Sequence, residues 1–270
     1  MATPMATHGT MKEKREAMEH ALSTKDMPLV EAILISCATK KDLWTLGKET
    51  MISFAEDRAW TDGVIAIMNF VHPGPEKWFV PVHKADTVRS LLFNCFWNND
   101  MKLACAMRDW RSPEGDAVDP ADMEQDALGS TACDETSGPT GNLALLEVFI
   151  QWVRPNGLHL DIMDPEGRLL LNAATCPNPE ILQRVLEWRA VVEPDKPEAY
   201  VDATWHDDVA LLEAVRWGQV ENVKTLLRWT GAQGERVNPD AWKWSEKPFR
   251  VGVAPETADA IHQVLQHHKK

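Results

Sequence analysis

Apolar residues recur three and four positions apart over short stretches of this chain, and polar or glycine-containing breaks separate the stretches after two or three helical turns. The clearest case is ALLEAVRWGQVENVKTLLRWTGA, from Ala210 to Ala232. Leu211, Leu212, Ala214 and Val215 keep helical spacing, and Gly218 offers the left-handed backbone that closes a helix. Glu221 then sits where an acid suits the start of a second helix, whose apolar face is Val223, Leu226 and Leu227. Two short antiparallel helices cannot bury both apolar faces alone. They need further pairs on either side, so the stretch predicts one unit of a stacked array.

Neighbouring units are visible when Trp229 is used as a marker. ENVKTLLRW ends at Trp229, EILQRVLEW at Trp188, ALLEVFIQW at Trp152 and KLACAMRDW at Trp110, with spacings of 41, 36 and 42 residues. The preceding segments align too. LLLNAATCPNPE (169–180) and LLFNCFWNNDMK (91–102) match ALLEAVRWGQVE (210–221), which puts Asn99 at the Gly218 position. HALSTKDMPLVEAIL (20–34) and ISFAEDRAWTDGVIAIM (52–68) are weaker copies, and PETADAIHQVL (255–265) reads as a closing half-unit.

This pattern resembles the ankyrin repeat, whose unit carries an inner helix, a Gly turn, an outer helix ending in Leu-Leu and a Gly-Ala exit. Residues 210–232 match best and GRLLLNAATCPNPEILQRVLEWRA (167–190) next, so the likeness is specific over 167–232. No unit has the TPLH tetrad of that family, and the wide spacing implies expanded loops. Another α–α solenoid with coincidental matches is the alternative. The resemblance implies an all-α fold, an ankyrin-like helical-repeat solenoid of about six helix pairs. It implies a short N-terminal tail over 1–10 and a single repeat domain over 11–268.

Three segments interrupt the pattern, one of them VEPDKPEAYVDATWHDD (192–208), which separates the two best-matching units. SPEGDAVDPADMEQDALGSTACDET (112–136) holds eight acids and no base, and with the prolines and glycines to residue 140 it reads as a solvated acidic insertion. It occupies the place of the inner helix before Trp152. ERVNPDAWKWSEKPFRVGVAPE (235–256) is a Trp-rich loop in which Trp242 and Trp244 would face one way if extended. They cap the open end of the array or form a wall for a ligand.

The 270 residues are 44% hydrophobic, enough for one sizeable core or stack, and carry a formal charge of −13. That balance argues against nucleic acid and against an anionic membrane surface. No apolar run is long enough to span a bilayer, and the first twenty residues lack a signal-peptide core. Five cysteines at wide spacing, with no CxxC, point away from structural zinc and disulfides and toward a reducing compartment, cytoplasmic or nuclear.

Catalytic motifs are missing: no phosphate-binding loop, no nucleophile elbow, no HExxH helix and no DDxxD cluster. No metal site and no cofactor is expected. His206-Asp207-Asp208 reads as an N-cap cluster for the helix that follows, or as a carboxylate–imidazole pair beside Trp205. His72 and His83 flank a Pro-rich link as surface residues. Trp110, Trp152, Trp188 and Trp229 share one phase and read as a repeated packing seam. Trp97 and Trp217, just before their turns, and Trp205, Trp242 and Trp244 in loops, are the candidate binding residues.

Two functions fit. One is an intracellular, monomeric scaffold that binds a protein partner through a concave repeat face. The other is a cofactor-free protein that binds or cyclises a hydrophobic small molecule in a Trp-lined pocket, running on shape and a few hydrogen bonds.

Overall fold

The computed structural model describes residues 9–56, 60–122, 142–162, 167–194, 196–244 and 249–268; side chains at 54–56, 96, 97, 122, 243 and 244 lie outside this description. The described residues are mostly helical, with twelve α-helices and one two-stranded hairpin. The chain forms two compact units, residues 1–124 with 152–157, and residues 125–151 with 158–270.

The first unit holds α1 (Met11–Ser23), α2 (Met27–Ile35), α3 (Lys40–Glu56), α4 (Thr61–Met68), α5 (Ala85–Asn98) and α6 (Met101–Asp109). They pack as pairs, α1 on α2, α3 on α4, α5 on α6. The first helix of each pair also packs on the first helix of the next, α1 on α3 and α3 on α5, and α4 packs on α6. The second unit repeats this plan with α7 (Leu143–Ile150), α8 (Arg168–Thr175), α9 (Pro179–Leu186), α10 (Trp205–Arg216), α11 (Val220–Arg228) and α12 (Pro255–His267). Here α8 packs on α9 and α10, α10 on α11, and the second helices run α7, α9, α11, α12 in contact order. A 3-10 turn, Ala241–Trp244, packs on α10.

The turn inside a pair is the same object at three places. Lys25, Asn99 and Gly218 have φ of 56°, 57° and 74°. The next residue's N–H donates five residues back in each case: Asp26 to Ala21 O at 2.7 Å, Asp100 to Cys95 O at 2.8 Å, Gln219 to Ala214 O at 2.9 Å. This bond satisfies a carbonyl the helix leaves orphaned. Four second helices start on a side-chain cap, while α4, α11 and α12 have none. Asp26, Asp100 and Asn142 accept from the N–H of Leu29, Leu103 and Leu145, and Asn178 accepts from Glu180. The Asn99–Gly218 equivalence expected from the sequence is borne out in backbone geometry.

Beyond a second helix the chain turns out into a β finger. Val71 bridges Phe79, and Arg111 bridges Ala117. β1 (Arg189–Ala190) pairs antiparallel with β2 (Ala199–Tyr200), Arg189 opposite Tyr200. Trp110, Trp152, Trp188 and Trp229 are all buried, as their common phase predicts. The Trp110 Nε1–H donates to Met68 O at 2.8 Å.

Three expectations change. Trp242 and Trp244 stand in a 3-10 turn rather than on an extended strand, so the strand geometry that would face both one way does not apply. His72 and His83 are engaged rather than merely superficial. Gly74 N–H donates to His72 Nδ1, which leaves Nε2 to donate to Ile35 O at 3.0 Å. His83 stacks on Trp110 with ring centroids 6.0 Å apart, and its burial pushes the imidazole pKa down against the opposing pull of Asp116. The acidic insertion begins in order: Ser112 Oγ donates to Asp116, and Asp119 takes a two-pronged bond from Arg154. Its remainder, 123–141, with the expected inner helix, lies outside the described residues, as do residues 1–8 of the tail.

Candidate functional site

The residues singled out as binding or catalytic candidates do not converge. Trp205 and Trp217 lie at the two ends of α10, on the order of 15 Å apart by helical rise. The Trp205 ring packs on His206, centroids 3.9 Å apart, and over Gly167, where a Cβ would meet the ring at 2.7 Å. Trp217 is half-buried beneath Arg250, whose guanidinium lies 4.0 Å from the ring centroid. Trp242 packs on His262 of α12 at 5.1 Å. The Trp97 and Trp244 side chains lie outside the described residues.

His206, Asp207 and Asp208 all have positive φ, between 47° and 64°. Three consecutive left-handed L-residues are costly. His206 and Asp207 are exposed, while Asp208 turns inward and is 6% exposed. Its Oδ2 accepts from Asn238 N–H at 3.2 Å, and Oδ1 has no partner. Asp208 is therefore not a cap for the helix that follows; it ties α10 to the 235–240 loop. Burial raises its pKa, the Asn238 N–H opposes that, and Asp202 and Asp207 add to the rise. None of the described cavities is lined by this trio. Among the described residues no group of His, Cys, Asp or Glu is placed to hold a metal ion.

The structure presents a different site. A groove of about 540 Å³ opens between the C-terminal ends of α9 and α11, lined by Gln183, Leu186, Glu187, Arg189, Thr225, Arg228 and Trp229. Leu186 and Trp229 are its apolar parts, and both are at least nine-tenths buried. Arg189 is held in place: its Nη1 donates to Leu186 O at 3.0 Å and Trp188 O at 2.6 Å, and its guanidinium lies 5.2 Å from the Tyr200 ring centroid. Arg111 makes the same pair of bonds to Arg108 O and Trp110 O. A Trp-Arg dipeptide thus closes two second helices in the same way. That dipeptide, at 110–111 and again at 188–189, was the signal available in the sequence. It was passed over because each Trp was read alone.

A second groove of about 410 Å³ runs past Trp217, Gly218 and Arg250, and a third of about 430 Å³ lies between α11 and α12. Large apolar side chains exposed to solvent include Val71, Val153 and Val191, each just beyond a second helix. Among the described residues no helix is long and apolar enough to cross a membrane. Compared with protein-family models, with curated proteins and with solved structures, the chain matches none.

Proposed function

We propose that this chain is an ankyrin-like repeat scaffold that binds a protein partner. The observation that carries the reading is the recurrence of one turn, with the N–H of Asp26, Asp100 and Gln219 bonded to the carbonyl five residues back. Among the described residues the α5–α6 pair combines a left-handed turn, a capped second helix and a β bridge beyond it, and the pairs pack on their immediate neighbours, which is how repeat arrays bury their apolar faces. The apolar contact points suit a partner. Val71, Val153 and Val191, 40%, 49% and 44% exposed, are the apolar positions that this reading offers to a partner.

The competing reading, a pocket that binds or cyclises a hydrophobic metabolite, needs several Trp rings around one enclosed cavity. Each described groove that touches a Trp touches a single one, Trp229 or Trp217. Native mass spectrometry of protein purified gently from its own host separates the two. The scaffold reading expects a stoichiometric companion of protein mass, lost in a Val71→Asp, Val191→Asp double variant that keeps its helical circular dichroism. A bound mass of a few hundred daltons, and no protein companion, would sink it.

A further inference from the structure

We propose that the groove between α9 and α11 docks an acidic segment of the protein partner, one that sets a carboxylate beside a large apolar side chain. The inference rests on the scaffold reading and adds the chemistry of what is bound. Its ground is a charge imbalance at one spot. The chain carries 41 acids and 28 Lys and Arg, and several cations on the neighbouring helices pair with carboxylates. Arg184 pairs with Glu147, Arg216 with Glu213, and Lys224 with Glu221. Arg189 and Arg228, both in the groove wall, have no carboxylate partner among the described residues. The single acid in that wall, Glu187, already accepts a hydrogen bond from Gln183 at 2.8 Å.

Arg189 is also preorganised. Two backbone carbonyls hold its Nη1 and the Tyr200 ring backs its plane. Its remaining donors form a fork whose ordering cost is already met, the arrangement that favours bidentate carboxylate binding.

The apolar floor has its own cause. In the first unit the Trp110 indole N–H reaches Met68 O, the last residue of α4, and closes the seam between two second helices. Leu186 is the last residue of α9, but its carbonyl is taken by Arg189. The Trp229 Nε1–H is left buried without an acceptor. The Trp188 Nε1–H is likewise buried without an acceptor, so the bond that Trp110 makes is missing at both indoles, and at Trp229 the groove lies beside it. A volume of about 540 Å³ has room for one large side chain with a carboxylate at its edge.

The test is a titration of the full chain followed by the indole N–H signals in a proton–nitrogen correlation spectrum, with the Trp229 signal assigned through Trp229→Phe. The probe is a blocked tripeptide, acetyl-Phe-Asp-Asp-amide, and its control is acetyl-Phe-Asn-Asn-amide. The Asp peptide is expected to move the Trp229 signal with a millimolar Kd, and the Asn peptide to bind about five-fold more weakly or worse. Arg189→Gln and Arg228→Gln should each weaken the Asp peptide about three-fold while leaving the other indole signals in place. Raising the salt should weaken the Asp peptide alone. Equal shifts with both peptides, or no shift at Trp229 up to about 10 mM, would overturn the assignment. So would 4-phenylbutyrate binding as tightly as the peptide, since the site would then be built for a free acid. A failed titration alongside a protein companion in the mass spectrum removes this groove and leaves the scaffold reading standing.

Discussion

Asn222 offers the sharpest test of how one helix pair of the second unit is tied to the next. It is 1% exposed and stands three residues after the Gln219 cap, where the other second helices carry Leu29, Leu103, Leu145 and Ile181. Its Nδ2 faces three carbonyls at the end of α8: Ala173 at 3.3 Å, Ala174 at 2.9 Å and Cys176 at 2.7 Å. Three acceptors around one atom fix the amide orientation, because a flipped oxygen would meet only oxygens. Asn222→Asp keeps the shape and removes the two donors. An ionised carboxylate cannot sit against three carbonyls, so the folded state would hold the acid protonated, which restores one donor. Holding a carboxyl of ordinary pKa near 3.9 protonated costs about 4 kcal/mol at pH 7 and about 1.5 kcal/mol at pH 5. The one missing hydrogen bond adds about 1 kcal/mol at either pH.

The sign follows from proton counting. The variant's folded state binds more protons than its unfolded state above pH 4, so its stability falls as pH rises. Urea denaturation of Asn222→Asp should show a loss of about 2.5 kcal/mol at pH 5 and about 5 kcal/mol at pH 7, a large part of a domain's usual reserve. Asn222→Ala serves as the companion, with a loss of about 2–3 kcal/mol that does not depend on pH. If Asn222→Asp stays within about 1 kcal/mol of the parent at both pH values, the three-carbonyl contact does not hold α11 to α8.

Two further outcomes follow from backbone geometry and burial. Gly218→Ala puts a Cβ 3.1 Å from Val253 Cγ1 at φ 74° and should cost about 1–2 kcal/mol, whereas Asn99→Gly at the equivalent turn should be near neutral in thermal melts. A Gly218→Ala melt at the parent temperature would refute the shared turn. Asp208→Asn keeps the acceptor for Asn238 N–H, suits a left-handed backbone and removes a carboxyl that burial pushes up. The Asp208 contribution is present below the ordinary carboxylate pKa and lost as pH rises through the raised one, so Asp208→Asn should gain stability over the parent between pH 4 and 7. Parallel stability–pH curves for the two proteins would contradict a raised Asp208 pKa.

The sequence carried the turns better than it carried the sites, for a physical reason. A helix end that needs a left-handed residue is announced by Gly or Asn, and an N-cap by Asp or Asn, so Asn99-Asp100 and Gly218 could be read directly. Lys25 takes the same left-handed place with no such signal, and only Asp26 beside it marked the turn. Asp208 looked like a cap because caps are local. Its partner is Asn238, thirty residues on, and no local rule reaches that far. The groove was hidden for a similar reason. Trp229 has the phase of a core residue and is buried as one, but what it leaves open depends on which donor reaches Leu186 O.

The pairwise packing has a consequence for the speed at which this chain folds. Strong contacts between elements join nearest or next-nearest helices, and the Asn222 bonds span fewer than fifty residues. Such low contact order places a helical protein toward the fast end of folding rates, because little loop entropy must be lost before contacts repay it. Lengthening a finger is correspondingly cheap, with each doubling of a loop adding only about 0.6 kcal/mol. Fingers between units can therefore grow, as the hairpin of Arg189 and Tyr200 has, while the assembly of each helix pair proceeds at its own rate.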